Sequence, residues 1–354
     1  MSGHLVLPAA LLSDPGRRLD IVGIGTALVD HLGVADDAAL AALGLTKGAM
    51  QLVDLATSER IRSAIGEQRQ ISGGTVANTA VGVASLGGRP AFVGAVATDA
   101  LGDRYAADLE ASGVAAILER LAVREGESET GRSVVVVTPD AERTMATTLG
   151  VGPLLDHDAI HGDLLASARL VYFDGYVLDF PDADRLVTRI VELARDASTP
   201  IALGLADPLV VRRHHRALTA LIDDGVALLF ANEAEATGLV GTDDVEEAVA
   251  ALRRPGLVSV VTRGADGAVV ATEEGTVEID AEPVDVLVDA TGAGDLFAAG
   301  VCFGVTHGYD LVRSARLGAL AAAEAVTHLG ARPEVSLAEL AAARGLLGAP
   351  SGRR

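Results

Sequence analysis

The stretch Asp289-Ala290-Thr291-Gly292-Ala293-Gly294-Asp295 sets two carboxylates and two glycines just ahead of an apolar, helix-like run. A β-branched run ends at Asp289, so the pattern reads as strand, glycine turn, helix. Glycine at 292 and 294 lets the backbone take positive φ and approach a ligand closely, so that the amides of Ala293, Gly294 and Asp295 converge at a helix N-terminus. Such a point suits the negative charge of a transferring phosphoryl group, and Asp295 is spaced to accept the proton of an attacking hydroxyl. The plainer alternative is that Asp295 only caps the helix and favours its dipole.

Four further segments carry polar residues that chemistry can use. In Ser72-Gly73-Gly74-Thr75-Val76-Ala77-Asn78 a double glycine opens a helix whose first turn holds Asn78, a residue disfavoured inside helices unless its amide is used. Asn78 reads as a hydroxyl binder, the glycine pair alone as a hinge or cap. Asp30, in Gly25-Thr26-Ala27-Leu28-Val29-Asp30, is either an acceptor for vicinal hydroxyls or an ordinary loop aspartate. Asn232 and Glu235 share one side of a helix start, where they either hold Mg²⁺ through water or simply cap the helix. Thr262-Arg263-Gly264-Ala265-Asp266-Gly267 is either a nucleotide-wrapping turn or a tight hairpin.

The elements that must position these residues alternate. Short apolar runs at 20–24, 92–96, 133–137, 170–173, 200–205, 227–230, 258–262 and 268–271 read as strands. Helical spacing marks 75–86, 100–112, 182–197, 212–223, 244–254 and 308–329. The alternation predicts an α/β fold: a doubly wound, mostly parallel sheet with helices on both faces, binding ligands at the carboxyl ends of its strands. Residues 31–55 and about 114–150 break the pattern and are expected to form small strands, either a lid or ordinary surface hairpins. Residues 1–19 and 346–354 read as tails around one unit spanning 20–345, because no Pro-, Gly- or Ser-rich linker divides it.

Composition narrows the function classes. A formal net charge of -21 argues against nucleic acid as a partner. It also repels nucleotides at long range, so any phosphate must be held by local amides, single arginines or cations. Lys47 is the only lysine, which excludes a phosphate-loop lysine. Cys302 is the only cysteine, which excludes an intrachain disulfide and a cysteine-based structural metal site and fits a cytoplasmic location. The N-terminal apolar patch contains proline and follows no basic cluster, so a signal peptide fits poorly. No apolar run approaches membrane-spanning length, so no membrane partner is expected.

Together, in this order, the five segments resemble the ribokinase family, the PfkB-type carbohydrate and nucleoside kinases. The glycine pair with Asn78 and Leu86-Gly87 looks like the family's first signature, and Asp289 to Asp295 like its second. Within the family, GIGTALVD, LTKGAMQLVD, TPDAERTMATTLG, FDGYVLD, FANEAEA and LGARPEVSLAEL look most like bacterial members described as adenosine kinases. The resemblance implies a ribokinase-like domain with a small β lid, and an ATP- and Mg²⁺-dependent kinase, monomer or homodimer, acting on a primary hydroxyl of a nucleoside, adenosine first. It implies Asp295 as general base, with Gly292, Ala293 and Gly294 forming the anion hole and Arg143 near the transferred phosphate. Asp30, Gly73, Gly74, Asn78 and Tyr176 would contact the substrate. Asn232, Glu235, Thr262, Gly264, Gly267 and Thr291 would serve ATP, and Asn232 with Glu235 would organise Mg²⁺ through water. Arg143 reads equally as a hairpin surface residue, and Tyr176 as core filling.

Two positions depart from the family pattern. Ala290 stands where the family commonly has threonine, which bears on a K⁺ site beside the signature rather than on the base. Leu178 replaces an aromatic expected in the subgroup, which weakens a purine-stacking surface. A free-sugar kinase acting on ribose or fructose, and a noncatalytic nucleoside- or sugar-binding protein on the same fold, are the alternatives. A dinucleotide-binding oxidoreductase fails on spacing, because the third glycine after Gly23-Ile24-Gly25 falls at Leu28.

Overall fold

The computed structural model describes residues 5, 7–11, 14–66, 69–123, 129–140 and 142–347. The N-terminal tail is thus described only in part, and most of the C-terminal tail lies outside the described residues.

Among the described residues fourteen strands form two sheets: β1 (Leu19–Ile24), β2 (Leu28–Val34), β3 (Met50–Leu52), β4 (Arg69–Gly73), β5 (Pro90–Ala97), β6 (Ala115–Leu121), β7 (Thr130–Val137), β8 (Arg143–Gly150), β9 (Ala168–Asp174), β10 (Ile201–Gly204), β11 (Leu228–Asn232), β12 (Val258–Thr262), β13 (Ala268–Thr272) and β14 (Gly275–Ile279). The larger sheet runs β14-β13-β12-β11-β10-β9-β1-β5-β6. It is parallel except at the β12-β13 and β13-β14 pairs. Its strands are apolar on both sides because helices cover both faces. Ile21, Leu170 and Tyr172 pack with the helices Thr75–Ser85, Ala293–Thr306 and Leu311–Ala325. Val22, Val171 and Phe173 pack on the opposite face with the helices Ala183–Asp196 and Pro208–Asp223. From β1 the chain builds outward through β5 and β6, and then resumes on the other flank at β9. The reversal leaves a crevice beyond the carboxyl ends of β1 and β9.

The smaller sheet runs β3-β8-β7-β2-β4. Its β2 pairs in parallel with β7 and antiparallel with β4. The range 114–150, expected to supply small strands apart from the main sheet, is divided. β6 pairs in parallel with β5, to which the helix Ala100–Ala111 connects it, so it extends the large sheet. β7 and β8 belong to the smaller one.

The strand expected to end at Asp289 does not form. Residues 280–290 pair with no strand, and Val284, Val286 and Leu287 are exposed. Their β-branched character is overridden because the amides of Val288 and Asp289 donate instead to the Val326 carbonyl, just past the helix Leu311–Ala325. Among the described residues no helix is long and apolar enough to cross a membrane.

Candidate active site

Asp295 occupies the first turn of the helix Ala293–Thr306, whose N-cap is Gly292 at φ 77°. That left-handed conformation favours glycine. A Cβ at Gly292 would also lie 2.2 Å from the Ala331 Cβ. Gly294, by contrast, is exposed, and a Cβ there would meet nothing within 4 Å. The space beside Gly294 at the helix start is therefore open, and a helix N-terminus favours an anion. Behind this turn, the buried Asp289 accepts from the Thr291 amide (2.8 Å) and hydroxyl (2.6 Å) through Oδ1, and from the Gly330 amide (2.8 Å) through Oδ2. The Thr291 hydroxyl is thus spent on holding the turn.

The helix Thr75–Ser85 brings Asn78 to Asp295. The Asn78 Nδ2 donates to Asp295 Oδ2 at 2.9 Å, while the buried Asn78 Oδ1 has no partner. Thr79 ties the two helices together by donating its hydroxyl to the Asp295 carbonyl at 3.1 Å. The preceding glycines are required by close approach. A Cβ at Gly73 would lie 2.2 Å from the Asp30 carboxylate, and one at Gly74 would lie 2.3 Å from the Thr26 carbonyl. Asp30 belongs to β2 rather than to a loop, opposite Ile71 of β4, and is buried. Arg143, the first residue of β8, donates to the Ala290 carbonyl at 3.3 Å, so the smaller sheet reaches the glycine turn ahead of Asp295.

The remaining predicted residues lie at the ends of neighbouring strands. Asn232 and Thr262 are in register at the ends of β11 and β12. Asn232 and Glu235 form a complete capping box: the Glu235 amide donates to Asn232 Oδ1 (2.8 Å), and the Asn232 amide and Nδ2 donate to the Glu235 carboxylate (2.9 and 2.8 Å). Thr262 to Gly267 is the antiparallel β12-β13 turn, with Gly264 open to space and Gly267 held where a Cβ would lie 2.0 Å from the Ile279 carbonyl. Tyr176 is half-buried beside β9, and its amide donates to Asp174 at 3.1 Å.

The electrostatics are those of a crowded acidic crevice. Burial pushes Asp295 up to about 6, against the Asn78 hydrogen bond and the charges of Arg143 and Arg332. Burial likewise pushes Asp30, Asp174 and Glu235 up to about 7, with Asp295 adding repulsion to each. Hard oxygen donors under mutual repulsion suit a divalent cation of the Mg²⁺ type, and the buried, cap-bound Glu235 suits contact through water.

Residues 38–337 match the pfkB family carbohydrate kinases. The chain belongs to the pfkB family. Among solved structures it is similar to the adenosine kinase from Sinorhizobium meliloti, at 38% identity and TM-score 0.87, over 93% of this chain and 99% of that one. It is similar also to a probable sugar kinase from Rhizobium etli CFN 42, at 36% identity and TM-score 0.89, over 94% and 100%. A Saccharomyces cerevisiae adenosine kinase is 27% identical over 333 residues, 88% of this chain and 95% of that protein. The chain is an ATP-dependent pfkB kinase whose acceptor is a hydroxyl of a nucleoside or sugar.

Two residues beside this candidate site carry no role in the sequence pattern. Asp174, at the carboxyl end of β9, accepts from the Thr75 hydroxyl. Its signal was available, since it directly follows a buried apolar run. Arg332 is buried and donates to the Ser72 carbonyl and hydroxyl. A partnership spanning 260 residues leaves no local pattern.

Proposed function

We propose that this chain transfers the γ-phosphoryl group of ATP to the primary hydroxyl of a nucleoside, adenosine first, with Asp295 as general base. The observation that carries the reading is the Asn78–Asp295 hydrogen bond, 2.9 Å long, formed at a helix start with open space beside Gly294. Asn78 holds the carboxylate as an acceptor and keeps its own Oδ1 for a donor that enters the crevice. A substrate hydroxyl is such a donor.

In the reaction, Asp30, Asn78 and the Gly73–Gly74 backbone hold the vicinal hydroxyls, with Tyr176 alongside. Asp295 removes the proton of the primary hydroxyl as its oxygen bonds to the γ-phosphorus. The bond from that phosphorus to the bridging oxygen breaks, and ADP leaves. Amides at the start of the helix Ala293–Thr306, together with Arg143, stabilise the charge spread over the transferring group. Thr262, Gly264 and Gly267 line the nucleotide, while Thr291 stiffens the turn ahead of Asp295. Glu235 and Asn232 would hold Mg²⁺ through water, and the ion would supply neutralisation of phosphate charge. The smaller sheet carries both Asp30 and Arg143 and acts as a lid that excludes water from the transfer. The chain works in the cytoplasm, where ATP is supplied.

The nucleoside assignment is supported by similarity to the Sinorhizobium meliloti adenosine kinase over 93% of the chain. An ADP-release assay with ATP and Mg²⁺ over adenosine, inosine, cytidine, ribose and fructose tests it. Adenosine is expected to exceed both sugars in kcat/KM by at least about tenfold, the scale of a modest pocket preference. Preferred turnover of a free sugar overturns the nucleoside assignment, and no turnover on any acceptor overturns the reading as a whole.

A further inference from the structure

The segment 329–334 forms a strap between the Asp289–Gly292 turn and the smaller sheet. Its Gly330 amide donates to Asp289 at 2.8 Å, behind the anion-binding turn. Ala331 packs against Gly292. On the other side, Arg69 of β4 donates to the Leu329 carbonyl at 3.0 Å and pairs with Glu334. Between these anchors Arg332 turns inward. Its Nε donates to the Ser72 carbonyl at 2.9 Å and its Nη2 to the Ser72 hydroxyl at 2.8 Å, while Nη1 is buried with no protein acceptor.

A buried guanidinium without a carboxylate hydrogen bond is an expensive way to brace a turn, because removing the cation from water costs several kcal/mol. The cost has an explanation in what Arg332 touches. Ser72 directly precedes Gly73 and Gly74, and the Ser72–Gly73 segment is braced from below. The Ser72 amide and hydroxyl donate to Asp108, and the Tyr105 hydroxyl donates to the Gly73 carbonyl at 3.1 Å. Arg332 supplies the brace from the strap side. The carboxylates that act on it are Asp108, Asp30 and Asp295.

We infer that Arg332 is a positioning residue for the acceptor substrate, fixing through Ser72 the Gly73–Gly74 turn against Asp30 and carrying a positive charge into the acidic hydroxyl-binding side of the crevice. The inference rests on the proposed role of Asp30 and the glycine pair in binding substrate hydroxyls. Arg332 works from the side of the acceptor and touches no predicted ATP residue. Its loss therefore acts on the acceptor KM and leaves the ATP KM in place, whereas a general loosening of the fold lowers only the active fraction, and with it kcat. Lysine at 332 keeps the charge but loses the planar fork, so it restores part of the function.

The test is steady-state kinetics on the wild-type chain and on Arg332→Met, Arg332→Lys and Ser72→Ala, varying acceptor and ATP separately. The acceptor KM is expected to rise about 30-fold in Arg332→Met, the scale of lost charge-assisted hydrogen bonds, with the ATP KM within about twofold of wild type. Arg332→Lys is expected to fall between Arg332→Met and wild type, and Ser72→Ala to raise the acceptor KM about threefold. Should Arg332→Met fail to fold, the lysine and Ser72→Ala variants carry the same comparison. Unchanged acceptor KM with a lowered kcat, or equal rises in both KM values, overturns the inference while the proposed function stands. A wild-type chain inert toward every acceptor overturns both.

Discussion

Asn78 and Asp295, separated by 217 residues in the chain, meet through a 2.9 Å hydrogen bond from the asparagine amide to the carboxylate. The bond joins the first turns of two helices that begin in glycine turns. It fixes the orientation of a carboxylate that burial pushes up to about 6, and it favours the ionised form a base requires. Replacing Asn78 with alanine removes that support. The variant is expected to lose about 10- to 100-fold in kcat/KM at pH 7.5, with the acid limb of the profile displaced to higher pH. A limb that stays in place would show that the hydrogen bond does not tune the base.

The acid limb of the wild-type kcat/KM profile should involve more than one proton. Asp30, Asp174 and Glu235 are pushed up to about 7 and Asp295 to about 6, all mainly by burial. Hydroxyl acceptance and proton removal use the ionised carboxylates, so activity falls as pH drops through this window. A slope steeper than one on the logarithmic profile is expected; a single-proton limb at an ordinary carboxylate position contradicts it.

The same groups set a stability trend of opposite sign. Their folded values lie above the ordinary 3.8 of aspartate and 4.5 of glutamate, so the folded chain binds these protons more tightly than the unfolded one. The stability contribution of each is fully present below the unfolded value and is lost as pH rises through the folded one, about 6 for Asp295 and about 7 for the others. Asp30→Asn removes one such group. Its Tm relative to wild type, measured by thermal unfolding without ligands, is expected to be higher by at least about 2 °C at pH 8 and to converge on wild type only below the ordinary aspartate value of 3.8. A pH-independent difference contradicts the sign.

Gly294 and Asp289 separate anion binding from folding. Gly294→Ala places a methyl group in open space. It is expected to leave Tm unchanged while lowering kcat by about 100-fold, the scale of losing one oxyanion donor. Asp289→Ala orphans the Thr291 amide and hydroxyl and the Gly330 amide. It is expected to cost about 3 kcal/mol in urea unfolding, because buried donors lose their acceptor. Reversal of the two patterns would mean that Gly294 is structural and that Asp289 is not.

Much of this was legible in the sequence, for reasons particular residues make plain. β1 and β9 are short buried runs, and burial on both faces writes itself as largely apolar residues. Asn78 and Asp295 stood out because each follows a glycine turn at a helix start. Illegible were features set by distant partners. Val284 to Val288 has strand composition but no strand beside it, and finds its backbone acceptor at Val326 instead. Asp30 gave no sign that it would sit in a second sheet, because that depends on pairing with β4 and β7. Glu235 as cap and Glu235 as cation ligand have one and the same sequence signature, and the capping box satisfies the first without excluding the second.

The central claim, that Asp295 removes the hydroxyl proton, is tested most directly by Asp295→Asn. The amide preserves size and can still hydrogen-bond Asn78, so the turn and its amides remain while the base is lost. The account predicts a fall in kcat of at least about 100-fold, with ATP binding by calorimetry unchanged within about twofold. Near-normal kcat with the variant folded and ATP bound would contradict it.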